Sequence, residues 1–158
     1  MQQEMPPVRV SYVADPKGAA VTTPAHEALR SALEDALANQ DRAAAVRAVT
    51  SAVREGRIAL DDVYARVLTP LLIDIGASWA AGTTAVWEEH FASSVVRTVI
   101  ESLATDVSEA AATAPERGTV VLACPSGEQH DLGLRMLADR LALRGWKAHF
   151  LGADTPAE

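Results

Sequence analysis

The chain has 158 residues, enough for one medium domain or for a small helical domain followed by part of a second. Its hydrophobic fraction is 49%, much of it Ala, and only 4% of residues are aromatic, which favours close helix packing over large aromatic clusters. A net charge of −7 argues against a nucleic-acid surface, the single Cys124 excludes a disulfide framework, and no apolar run before Gly18 suits a signal peptide or membrane span.

Residues 1–22 read as a tail or linker interrupted by Pro6, Pro7 and Pro16, with one short alternating patch (Val8, Val10, Tyr12, Val13) that could add an edge strand. Thr23-Pro24 then looks like a helix start, and Leu29, Leu33 and Leu37 recur at helical spacing to about Asn39. Asp41 is expected to cap a second helix with a Val46, Val49, Val53 stripe and a stop at Gly56. Asp61-Asp62 is expected to cap a third, carrying Tyr64, Leu68, Leu71, Leu72, Ile75 and Trp79, with a kink near Val67 caused by Pro70. A fourth helix is expected over residues 85–112, with Phe91, Val95, Val99 and Leu103 every fourth residue. Gly82, Thr83 and Thr84 form the joint between the third and fourth, Gly in the left-handed position and Thr as the cap. Four helices with short loops make an antiparallel bundle the economical architecture.

A linker at residues 114–118 precedes a change of pattern. The continuous apolar run over residues 119–124 predicts a buried strand, followed by a loop, a helix ending at Gly145 and a second strand over residues 147–151. The order β-α-β implies parallel strands. Two strands and one helix do not complete such a sheet, so further strands outside this sequence or a partner are expected to finish it.

The chemistry concentrates at two places. The helix joint brings Trp79 together with Glu89 and His90, a flat ring, a carboxylate and an imidazole that would suit the lid of a planar ligand; Trp87 is a further wall if it faces inward. The loop after the first strand, Glu128-Gln129-His130-Asp131-Leu132-Gly133, puts His130 beyond the carboxyl end of a strand, where ligands of open α/β sheets sit. An imidazole there can ligate a metal, its second nitrogen donating to Glu128 or Asp131, while Gly133 lets backbone pass close to a bulky ligand. Taken singly, each feature has a plainer reading. Trp79 can be core, Glu89-His90 can oppose a helix dipole, His130 can be a solvated surface residue, and Cys124 can be a structural thiol or a nucleophile.

In combination, Trp79, nine residues and then Glu89-His90 resembles the Trp-x9-Glu-His motif of the cobalamin-dependent photoreceptor regulators of the MerR type. Glu128-x-His130-x-x-Gly133 is similar to their Glu-x-His-x-x-Gly motif, a variant of the Asp-x-His-x-x-Gly motif of corrinoid proteins. The resemblance covers residues 25–158 and includes the phrases at residues 70–79 and 151–154. It implies an α plus α/β fold: a four-helix bundle over residues 23–113 that caps the upper face of cobalamin, then over residues 118–158 the first β-α-β unit of an incomplete Rossmann-like cobalamin-binding domain.

It further implies that His130 is the lower axial ligand of cobalt with Glu128 as its hydrogen-bonding partner. Trp79, Glu89 and His90 would cover the upper face, where the photoreceptors carry an adenosyl group; light that breaks the cobalt–carbon bond would release this lid and shift the oligomeric state. Ala80, after Trp79, cannot supply a second axial ligand, which leaves His90 as the nearest alternative. The expected protein is therefore a cytoplasmic, non-enzymatic, adenosylcobalamin-binding and light-responsive sensor that forms a homo-oligomer. It would regulate transcription through a DNA-binding part on another chain or outside this sequence, with no nucleic-acid or membrane binding of its own. The alternative is a corrinoid shuttle protein of a methyltransferase system, carrying methylcobalamin.

Overall fold

The computed structural model describes residues 22–156; the alternating patch at residues 8–13 and most of the expected tail lie outside them. The first pair of helices, α1 (Pro24–Ala38) and α2 (Arg42–Arg54), falls where the spacing predicts. Pro24 opens α1, where its missing N–H has no helical partner to lose, and His26 Nδ1 accepts from the Thr23 backbone N–H at 3.0 Å. Asp41 caps α2 by accepting from the Ala44 N–H at 2.8 Å. Gly56, at φ +69, ends it.

The third helical stretch is compound: α3 (Leu60–Asp62), a π-helical segment (Val63–Leu68) and α4 (Thr69–Ala80). Pro70 has no N–H to donate, and the turn before it widens so that the Thr69 N–H reaches the Tyr64 carbonyl, which also accepts from Thr69 Oγ1 at 2.8 Å. The expected kink near Val67 is thus a π turn. Asp61 and Asp62 do not cap the helix, which starts after Ala59. They lie in its first turn, still favourable against its positive end, and their carboxylates are drawn to guanidinium groups, Asp61 to Arg140 and Arg144, Asp62 to Arg66.

The single helix expected over residues 85–112 is two, α5 (Val86–Ser102) and α6 (Ala104–Ala112). At the break the Leu103 N–H takes the Ile100 carbonyl at 3.1 Å, a tighter turn, and the Ser102 hydroxyl competes for backbone by donating to Val99. The break costs no burial, because Leu103 is fully inside. Around it pack Leu33, Val49, Tyr64, Val67, Leu68, Val95, Val99 and Ile100, a core shared by α1, α2, the π segment and α5.

Two parallel strands follow, β1 (Gly118–Leu122) and β2 (Trp146–Phe150), in register from Gly118 opposite Trp146 to Leu122 opposite Phe150, joined through α7 (Leu132–Ala142). The strand expected to be buried on both sides instead alternates, with Val121 61% exposed. Among the described residues only one face of the sheet is covered, by α7. That helix also joins the bundle: Met136 enters the bundle core, and the buried Tyr64 hydroxyl donates to Asp139 Oδ2 at 2.9 Å, with Arg135 contacting the same carboxylate. The architecture is therefore helix-dominated with a small parallel two-stranded sheet. No helix among the described residues is long and apolar enough to cross a membrane.

Candidate functional site

The joint between α4 and α5 sets the upper half of the site. Gly82 takes φ +71, its N–H returns to the Trp79 carbonyl at 2.9 Å, and the Thr83 N–H returns to that of Ser78 at 3.0 Å. The Thr83 hydroxyl also goes to Ser78, so it closes α4 and does not cap α5. The Glu88 carboxylate takes over that role by accepting from the Ala85 N–H at 2.7 Å. The reversal leaves Trp79 at the last turn of α4 beside Glu89 and His90 in the first turns of α5.

Facing this end of the bundle is the loop between β1 and α7, and between them lies an open cleft of about 720 Å³. Trp79, Glu89, His90, His130 and Gly133 all line it, and Glu128 stands behind His130. Two stretches separated by some forty positions in sequence thus meet around one space. Its apolar wall includes Ile73, Val86 and Met136. Trp87 is not part of it and points elsewhere, 58% exposed. Trp79 is itself 52% exposed and lines the cleft, so it is a cleft wall and not core.

Electrostatics differ between the two halves. On the upper side the Ser93 hydroxyl donates to Glu89 Oε1 at 2.6 Å and the His90 imidazole contacts Oε2. The hydroxyl first, and then the imidazole, hold the Glu89 carboxyl below its ordinary range. On the lower side Glu128 Oε1 accepts both the His130 backbone N–H at 2.7 Å and His130 Nδ1 at 2.6 Å. The backbone bond, followed by the ring bond, likewise keeps the Glu128 carboxyl ionised to lower pH. With Nδ1 engaged by the carboxylate, Nε2 is the ring nitrogen left open towards the cleft, and the His130 side chain is 96% exposed. Of the two acids that sequence offered as its partner, Asp131 turns away, to Arg97.

The loop is pinned from below. The Gly127 N–H donates to Asp154 Oδ1 at 2.7 Å, the Asp154 N–H to the Glu128 carbonyl at 3.0 Å, and the Cys124 N–H to Gly152 at 3.0 Å. At Gly133 an added Cβ would meet no protein atom within 4 Å, so the space beside its backbone belongs to the cleft. Cys124 is buried, and burial followed by the nearby Asp131 and Glu128 charges pushes its thiol up, which fits a structural thiol and not a nucleophile. Arg97, Ser93 and Gln129 also line the cleft and were not singled out from the sequence. For two of them a signal existed: Glu89, Ser93 and Arg97 recur every fourth residue, a polar row along one side of α5.

The family model described as "B12 binding domain" matches residues 29–104, which span α1 to the start of α6. That match takes in 76 of the 158 residues, a likeness to B12 binding domains over the helical part of the chain. The chain is also 37% identical over 122 residues to the HTH-type transcriptional repressor CarH of Myxococcus xanthus, covering 70% of this chain and 39% of that protein. To the HTH-type transcriptional repressor CarA of the same organism it is 39% identical over 90 residues, covering 57% of this chain and 28% of that protein. It therefore spans well under half the length of either curated relative. Among solved structures, the monomethylamine corrinoid protein of Methanosarcina barkeri superposes with a TM-score of 0.69 at 20% identity, over 82% of this chain and 59% of that one, a likeness of fold. The B12 binding domain so defined ends before His130, and the CarH match is the longer of the two sequence matches.

Proposed function

We propose that this chain is a cobalamin-binding sensor domain that holds the cofactor in the cleft between the bundle and the His130 loop. The observation that carries the reading is the convergence of Trp79, Glu89 and His90 with His130 across one open cleft, at the edge of a segment that matches a B12 binding family model. The donor set fits a corrinoid. Among the described residues no three metal-ligating side chains converge, so there is no protein cage for a bare ion, whereas a metal already held by a macrocycle needs only an axial imidazole. His130 offers one with its Nδ1 engaged by a carboxylate, the arrangement that fixes ring orientation and raises ligand basicity. The open space beside Gly133 and the apolar wall from Ile73 to Met136 suit a large flat ligand.

When bound, the cofactor would supply a cobalt centre that accepts an imidazole and carries an organic group that light can release. His130 would ligate the lower face, and Glu128 would orient the imidazole. Trp79, Glu89 and His90 would cover the upper group and exclude water from it. We assign residues 23–113 as the upper cap and residues 118–158 as the first unit of a Rossmann-like cobalamin domain. The favoured form is adenosylcobalamin and the favoured signal is light, read out through a cytoplasmic homo-oligomer and a DNA-binding part beyond this sequence. The repressor relatives support this over a methyl-carrying shuttle, because the likeness to a corrinoid protein of methylamine metabolism is one of fold alone.

The test is incubation of the purified protein in the dark with adenosylcobalamin or methylcobalamin, then gel filtration. Co-elution of adenosylcobalamin and a change of elution volume after illumination are expected. Retention of methylcobalamin alone, with no response to light, supports the shuttle reading, and retention of neither removes both.

A further inference from the structure

Arg97 lies two turns beyond Glu89 on α5, roughly 12 Å along the axis, and points at the opposite half of the site. Its guanidinium makes a forked ion pair with Asp131, Nη1 to Oδ2 at 3.2 Å and Nη2 to Oδ1 at 2.5 Å. The Asp131 side chain is only 10% exposed and precedes the first turn of α7, with its carbonyl accepting from the Arg135 N–H at 2.8 Å. Its neighbour in sequence is His130. A buried carboxylate held at both oxygens fixes the backbone direction of the residue beside it, because a fork defines orientation where a point charge defines only distance. The other polar anchors of the loop, Gly127 to Asp154, Asp154 to the Glu128 carbonyl and Cys124 to Gly152, act on the strand side of His130. Arg97 is thus the charged side chain that ties its α7 end to the bundle, beside the apolar contact of Leu132 with the core.

We propose that Arg97 is a positioning residue for His130, acting through Asp131. The stripe Glu89, Ser93, Arg97 then gives α5 both halves of the site: it presents the upper lid at one end and sets the lower imidazole from the other. Because α5 is one continuous helix over this stretch, displacement of the lid and tilt of the His130 loop are mechanically linked. The inference rests on the cobalamin reading of the cleft.

The experiment uses the full chain labelled with 15N-histidine and loaded with cob(II)alamin. In electron paramagnetic resonance, a protein imidazole gives two-line splitting from 15N, while the cofactor's own base gives three-line splitting from 14N. Wild type is expected to show the two-line pattern. Arg97→Met is expected to lose at least half of it and to bind cob(II)alamin about tenfold more weakly, the low end of effects seen for groups that orient a metal ligand. Arg97→Lys, which keeps charge but not the fork, and Asp131→Asn are expected to fall between, and they serve if Arg97→Met does not fold. Asp61→Asn breaks a different bundle-to-α7 ion pair, with Arg140 and Arg144, and is expected to leave the two-line pattern intact. Unchanged ligation in Arg97→Met or Asp131→Asn with the cofactor bound overturns this inference alone. An equal loss in Asp61→Asn overturns it as well, by reducing Arg97 to a general tie. Failure of wild type to bind overturns the cobalamin reading itself.

Discussion

Replacing Tyr64 by Phe tests how the bundle is joined to α7. The Tyr64 hydroxyl is fully buried and donates to Asp139 at 2.9 Å, and Asp139 is itself 5% exposed. A hydrogen bond to a charged group contributes about 1.5–3 kcal/mol, and its loss leaves a buried carboxylate short of a donor. Arg135 remains on the same carboxylate, so the lower part of that range applies, about 2 kcal/mol. With a urea slope of about 2 kcal/mol/M for a chain of this size, the midpoint falls by about 1 M. Burial, with the Asp139 charge second, raises the Tyr64 pKa above its ordinary value of 10.0. Stability linked to it is full below pH 10 and declines above it, as the unfolded chain ionises and the folded one does not. Urea unfolding followed by circular dichroism at pH 7 and at pH 10.5 reads both effects. A midpoint within about 0.2 M of wild type at pH 7 would refute the joint as a stabilising contact. An unaltered alkaline slope would refute its assignment to Tyr64.

Gly145→Ala should cost more than about 2 kcal/mol, since φ is +85 and a Cβ would sit 1.9 Å from the Pro115 carbonyl oxygen; Gly56→Ala, at φ +69 with open space, should cost only about 1, and thermal melts compare the two. Arg144 first, and Arg140 after it, depress the Asp61 carboxyl to about 2, opposed by partial burial. Its contribution is present above the unfolded value near 4 and lost as pH falls towards 2. After allowance for solvent screening it is on the order of 1 kcal/mol, and Asp61→Asn should remove that acid slope in urea titrations. Trp79→Ala should leave the melting curve within about 0.5 kcal/mol of wild type, because the ring is half exposed, yet change which upper axial groups are retained in dark dialysis; a large loss of stability would make it core.

Helix positions and the parallel pairing were legible because each follows from local chemistry: periodic Leu and Val, an Asp cap, a Gly stop, a Pro with no donor. The two residue clusters that line the cleft were singled out by their motifs in combination, since each residue alone has a plainer reading. What escaped depended on partners distant in sequence. Asp61 looks like a cap until Arg140 of α7 and Arg144 just beyond it arrive, 79 and 83 positions away. Spacing alone left both Glu128 and Asp131 within reach of His130, and only the motif resemblance chose Glu128; in the fold Arg97, 34 positions earlier, takes Asp131 and leaves Glu128. The exposed face of β1 was unreadable for a related reason: a run such as Val120-Val121-Leu122 marks a strand, but not which layers cover it. The break at Leu103 coincides with a backward bond from the Ser102 hydroxyl to the Val99 carbonyl and leaves the apolar spacing unbroken, so periodicity does not reveal it.

The central claim is that His130 ligates a corrinoid in this cleft. Absorbance titration of the protein with adenosylcobalamin in the dark, wild type beside His130→Ala, tests it most directly. Wild type should give a saturable spectral change that reports replacement of the cofactor's own lower base. His130→Ala, whose side chain is exposed and whose fold should be intact, should lose that change while Trp79→Ala keeps it. Identical titrations for wild type and His130→Ala would contradict the claim.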